Sequence, residues 1–151
     1  MKYLTGVIGL IICLSVVVES VVFTDCGSIK GKFTKVSVSN CDETKPKCVL
    51  KRGTNATVNI DFQLNNEIEK EIKVICHGKV SGLDVPFKLP NPDACVNSGL
   101  SCPLKKGIVY QYTASFPILK IYPKLDVEVR FELRNSEGKD IICVVIPSKI
   151  Q

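Results

Sequence analysis

The sequence predicts an all-β chain, an immunoglobulin-like β-sandwich of about seven antiparallel strands. Three observations carry that expectation. Apolar and polar residues alternate wherever a pattern exists, turn-forming clusters separate the alternating runs at a regular rhythm, and no helical period persists beyond one turn.

The alternation is clearest where Ala56, Val58, Ile60, Phe62 and Leu64 are separated one by one by Thr57, Asn59, Asp61 and Gln63, the period-2 signature of a half-buried strand. Ile72, Val74, Cys76 and Val80 share a face opposite Lys73, His77 and Lys79. Ile108 to Phe116 and Leu125 to Leu133 alternate in the same way, and an opening strand is expected over Phe33 to Ser39. Asp140 to Ile146 is nearly continuously apolar, as suits a strand covered on both faces. Between the runs lie Lys51-Arg52-Gly53, Asn65-Asn66, Ser81-Gly82, Lys105-Lys106-Gly107 and Asn135-Ser136-Glu137-Gly138. The longest irregular stretch, Pro86 to Cys95, holds Pro86, Pro90 and Pro92, which lack N–H donors and cannot sit in a central strand. Phe87 and Leu89 make it either a plug over one end of the core or the rim of an apolar opening. There is no tryptophan, so the Cys-Trp-Cys arrangement of antibody domains is missing.

At the N-terminus, Lys2 precedes an apolar run from Val7 to Val18, too short to span a bilayer, and Val18-Glu19-Ser20 suits cleavage. Residues 1–20 are therefore expected to be a secretory signal, leaving one domain over 21–151. Neither a second spanning run nor a C-terminal lipid-anchor tail is expected. Losing Lys2 and Glu19 together keeps the formal charge at +5, and the scattered lysines describe a mildly basic surface with modest attraction for anionic membranes. Of eight cysteines, Cys13 leaves with the signal, so seven meet an oxidising compartment and one stays unpaired. Spacing suits local bridges within Cys41/Cys48 and Cys95/Cys102 and an end-to-end bridge between Cys26 and Cys143, although seven cysteines permit many connectivities.

Catalytic and metal readings find little support. His77, the single histidine, is expected on the outward face of its strand, away from Cys76 and from any GxSxG elbow. The acids lie on polar faces, phosphate-binding and dinucleotide fingerprints are missing, no CxxC occurs, and the basic residues do not cluster as in a nucleic-acid groove. The expectation is a protein that is not an enzyme, needs no cofactor or metal, and binds no nucleic acid.

The order of short motifs resembles the Niemann-Pick type C2 family of the ML lipid-recognition superfamily. The motifs are Asp25-Cys26-Gly27-Ser28, the Cys41/Cys48 pair, His77-Gly78, Val85-Pro86-Phe87, Pro90-Asn91-Pro92-Asp93-Ala94-Cys95, Cys102-Pro103, Tyr122-Pro123, and Cys143 followed by Ile146-Pro147. The resemblance covers essentially the whole mature chain, about 23 to 150. It implies two sheets holding a hydrophobic ligand in a cavity between them, with bridges Cys26–Cys143, Cys41–Cys48 and Cys95–Cys102 and Cys76 free. It places Phe87, Ile118 and Tyr122 at the entrance, and Leu50, Val58, Cys76, Leu83, Val85, Pro117, Phe131 and Val144 deeper. The portal is expected between the Pro-rich loop and Phe116-Pro117-Ile118. By alternation alone each of these residues reads equally as ordinary core, and Cys76 as an inert buried thiol.

Where mammalian sterol carriers of that family show tryptophan, this sequence has Phe131 and Val144, and a pocket tyrosine position reads Ala56, so a reshaped cavity is expected. The sole sequon is Asn55-Ala56-Thr57, making Asn55 the expected glycosylation site. The implied function is secreted lipid carriage by a monomer, in the extracellular space or the endosomal/lysosomal lumen. The ligand would be a sterol such as cholesterol, delivered to a membrane surface or a Niemann-Pick type C membrane receptor. Alternatives on the same fold are a carrier of fatty acids or semiochemicals and a binder of microbial lipids in immunity. A disulfide-stapled structural or inhibitory protein with a filled core is the third reading.

Overall fold

The computed structural model describes residues 19–65 and 68–151, so the expected signal segment lies, but for its last two residues, outside the described residues. Among these, nine strands form and no helix: β1 (Thr24–Asp25), β2 (Gly31–Val38), β3 (Cys48–Leu50), β4 (Thr54–Leu64), β5 (Ile72–Val80), β6 (Leu83–Pro86), β7 (Tyr110–Ile118), β8 (Asp126–Asn135) and β9 (Asp140–Ile150). The number exceeds the expected seven because β1, β3 and β6 are two to four residues long, too short to show a period of two.

One sheet runs β1-β9-β8-β5-β6, with β3 also on β9, and the other is β2-β4-β7. All pairings are antiparallel except β3 on β9, which is parallel and corrects the all-antiparallel expectation. The Cys41–Cys48 bridge, closing a seven-residue separation, ties β3 to the end of β2. Cys26–Cys143 joins β1 to β9 across 117 residues, and Cys95–Cys102 closes a local loop. The Asp25-Cys26-Gly27-Ser28 motif is structural. Asp25 Oδ1 accepts the Gly27 and Ser28 N–H groups, each at 2.8 Å, and Ser28 Oγ accepts the Cys143 N–H at 2.9 Å.

The alternating residues of β4, β7 and β8 point into one shared apolar core that includes Val58, Ile60, Phe62, Tyr112, Val129 and Phe131. The near-continuous apolar run of β9 is buried on both faces from Ile141 to Val144. The Pro-rich stretch lies along the free edge of β5. Phe87 N–H donates to the Cys76 carbonyl (2.9 Å), Val74 N–H to Pro92 (2.8 Å) and Ala94 N–H to Ile72 (2.9 Å), so the loop satisfies backbone groups a further strand would have taken.

Candidate functional site

Cross-strand pairing sets Cys76 opposite Phe131, and Phe131 opposite Val144, so three neighbouring strands contribute one inward row, all buried. The facing sheet meets this row through Tyr112, whose ring lies 5.7 Å from that of Phe131 at 44°. Val58 is buried on the neighbouring strand β4, which carries Ile60 opposite Tyr112. Toward one end, Leu50 and Ile118 are buried at the ends of β3 and β7.

This interior is closed at the β5–β6 edge by two aromatic rings. Phe87 follows β6, and its ring lies on Gly78: a Cβ there would collide with Phe87 Cε2 and lie 3.0 Å from Val127 Cγ2. Glycine at 78 is thus what lets the ring rest on the inner face of the sheet. Tyr122, from the β7–β8 connection, meets Phe87 edge-on at 5.4 Å and 76°. Both side chains are half-buried. Exposed apolar side chains stand on the segments that carry them, Leu83 (72%) on β6 and Leu119 and Ile121 (84%) just before Tyr122, and Val49, Lys51, Arg52, Lys120 and Lys124 line a cleft. A second cleft separates Leu89-Pro90-Asn91 from Tyr112 to Ser115.

Three expected deep positions are not deep. Leu83 and Val85 pair with Val80 and Gly78 and so share the inward side, yet all four residues of β6 are exposed. The physical reason is width: β6 is an edge of the larger sheet, and the three-stranded sheet does not roof it. Pro117 is exposed because it alternates with buried Phe116 and Ile118 and faces outward beside Asn55. Conversely, Tyr112 was absent from the expected site. Its position on an inward face was legible, but its partner Phe131 is in another sheet.

Burial, aided by the charge of Glu132, pushes the Cys76 thiol up to about 12. Burial, then proximity to Cys76, pushes up the Tyr112 hydroxyl. The folded thiol therefore keeps its proton where the unfolded one, near 9.0, loses it. This contributes stability that is present below pH 9 and lost as pH rises from 9 toward 12. Cys76 is expected to resist iodoacetamide at pH 8 in the folded protein and to react once urea unfolds it; labelling of the folded protein at a free-thiol rate would contradict its burial.

His77 is half-exposed on the face opposite Cys76. Among the described residues, one group of potential metal-ligating atoms converges, at Glu132, Asp140 and Cys143. There Arg134 pairs with Glu132 (2.7 Å) and Asp140 (2.9 Å), Arg130 also pairs with Glu132, and Cys143 is bridged, so the buried acid is matched by cations.

The fold is a two-sheet sandwich with an apolar interior, and residues 20–150 match the ML domain family. Within it the chain belongs to the Niemann-Pick type C2 family. It is 51% identical to NPC intracellular cholesterol transporter 2 homolog a of Drosophila melanogaster over 95% of this chain and 97% of that one. It is 36% identical to NPC intracellular cholesterol transporter 2 of Bos taurus, over 100% of this chain and 99% of the relative. The crystal structure of a Niemann-Pick type C2 protein from Japanese carpenter ant superposes with a TM-score of 0.82 at 35% identity, covering 87% of this chain and all of that one.

Proposed function

We propose that this protein is a secreted, non-enzymatic carrier that binds a sterol between its two sheets and transfers it to a membrane. The observation that carries this reading is the Phe87–Tyr122 pair. Its two half-buried rings pack against the core that holds the row of Cys76, Phe131 and Val144 facing Tyr112. An aromatic pair is worth only about 0.5–1.5 kcal/mol beyond its buried area, so the ring–ring contact itself adds little to the cost of opening. Burying about ten methylene equivalents at roughly 0.8 kcal/mol each supplies a gross ~8 kcal/mol, from which association costs subtract. Entry parts the rings, the sheets separate, and Phe87, Ile118 and Tyr122 line the mouth. Leu50, Val58, Cys76, Tyr112, Phe131 and Val144 surround the ligand.

The exposed Leu83, Val85, Leu119 and Ile121 beside lysines suit contact with a membrane or a membrane receptor during hand-off. Residues 1–20 act as the signal, three disulfides fit an extracellular or lysosomal lumen, and exposed Asn55 carries the glycan. The small Ala56 on the inner face of β4 favours, as a second reading, a fatty-acid or semiochemical ligand.

Mass spectrometry of organic extracts from the native protein, followed by competition with dehydroergosterol, a fluorescent sterol, separates these readings. Co-purified sterol displaced by sterol supports the first, displacement only by fatty acids the second, and a protein binding neither sinks both. In the same assay Phe87→Ala is expected to weaken sterol binding about tenfold, the worth of roughly 1.4 kcal/mol, without unfolding the domain. Wild-type affinity would remove Phe87 from the site.

A further inference from the structure

Tyr122 closes the mouth only because the turn that carries it is held in place, and that turn, residues 119–122, has few ties to the rest of the molecule. Its internal bond runs from the Tyr122 N–H to the Leu119 carbonyl at 3.1 Å. Ile121 at its tip is 84% exposed and contributes almost no packing. One side chain reaches it by hydrogen bonding among the described residues: Arg52 Nη1 donates to the carbonyls of Lys120 (3.0 Å) and Tyr122 (3.1 Å). Arg52 is itself anchored, since its backbone N–H donates to Gln151 at 2.8 Å and the next residue, Gly53, donates to Ile118. Gly53 has φ +78°, and a Cβ there would lie 3.0 Å from Lys120 Cε, so the Lys120 side chain lies over the 51–53 turn.

We infer that Arg52 is the latch of the portal, a positioning residue whose guanidinium holds the Tyr122 turn against Phe87 and so sets the rate at which lipid enters and leaves. This rests on Phe87 and Tyr122 being the mouth. The Nε of Arg52 is buried without a protein partner, so the two bonds to the turn are the only side-chain hydrogen bonds the guanidinium makes among the described residues. They donate from a cation to backbone carbonyl oxygens, the stronger class of hydrogen bond, and both must break before the turn can carry Tyr122 away from Phe87. A turn that closes again over bound lipid keeps the same two bonds in the empty and the loaded protein, so the latch raises the barrier between them without favouring either. Removing it should accelerate binding and release together, by about tenfold, and leave Kd within about twofold.

The test is stopped-flow binding and release of dehydroergosterol by wild type, Arg52→Ala and Arg52→Lys, with amide hydrogen exchange at Tyr122 followed in parallel without ligand. The expected result is faster association and dissociation in Arg52→Ala at nearly unchanged Kd, with a melting temperature lower by only a few degrees. Arg52→Lys, which keeps the charge and one flexible donor, is expected to fall in between, and the Tyr122 amide to exchange faster in Arg52→Ala. Wild-type rates and wild-type exchange in Arg52→Ala would overturn the latch. So would a raised Kd with a lowered melting temperature in both variants, which marks a merely structural arginine. A wild-type protein that binds no sterol would count against the carrier reading instead, and the hydrogen-exchange comparison would still decide whether Arg52 holds the turn.

Discussion

Replacing both Cys26 and Cys143 with serine is expected to destabilise the domain by about 4–5 kcal/mol, the chain-entropy value for a loop of this length. The bridge closes 117 residues, nearly the whole described domain, whereas the other two bridges each close seven. By the same relation a seven-residue separation is worth only about 2–2.5 kcal/mol. Native stabilities lie at roughly 5–15 kcal/mol, so the loss takes a large share of what the domain has. The structure adds a local consequence. β1 is two residues long, held by Thr24 and Asp25 opposite Val145 and Val144 and by the Cys26 N–H to the Cys143 carbonyl at 3.0 Å, too little to stay paired alone. Calorimetry of the double serine variant should show a melting temperature lower by roughly 15–20 °C. A fall of only a few degrees would mean that residual structure in the unfolded chain already keeps its ends close, and that the bridge adds little.

Phe131→Ala is expected to destabilise the empty protein by about 3–5 kcal/mol, measured as a shift of the urea midpoint at constant slope. Phe131 is fully buried, sits between Cys76 and Val144 in the inward row, and stacks on Tyr112 from the facing sheet. Removing its ring leaves a gap that residues held in two different sheets cannot close by local relaxation. The proposed site makes this more than a core substitution. If ligand occupies the space beside this ring, saturating sterol should restore part of the lost stability, since a ligand bound only to the folded state stabilises it by mass action. A gain from sterol equal to that of the wild type would place the ligand elsewhere, because affinity would then not depend on this ring.

The strands β2, β4, β5, β7, β8 and β9 were legible because a period of two is a local property, written residue by residue in runs such as Ala56 to Leu64. The burial of Phe131, Val144 and Cys76 follows from the same alternation. The motif order identified the family, and the placing of Cys26 and Cys143 near opposite ends of the domain suggested the long bridge. Alternation says which side of a sheet a residue is on, but not whether anything lies above it. Only the tertiary structure decided that Leu83 and Val85, on the inward side of β6, stand beyond the edge of a three-stranded roof and face water. It alone brought Tyr112 onto Phe131 and carried Arg52 across 70 residues of sequence to the turn beneath Tyr122. Such contacts depend on how wide each sheet is and where a loop returns, quantities that a one-dimensional pattern of apolar and polar residues does not encode.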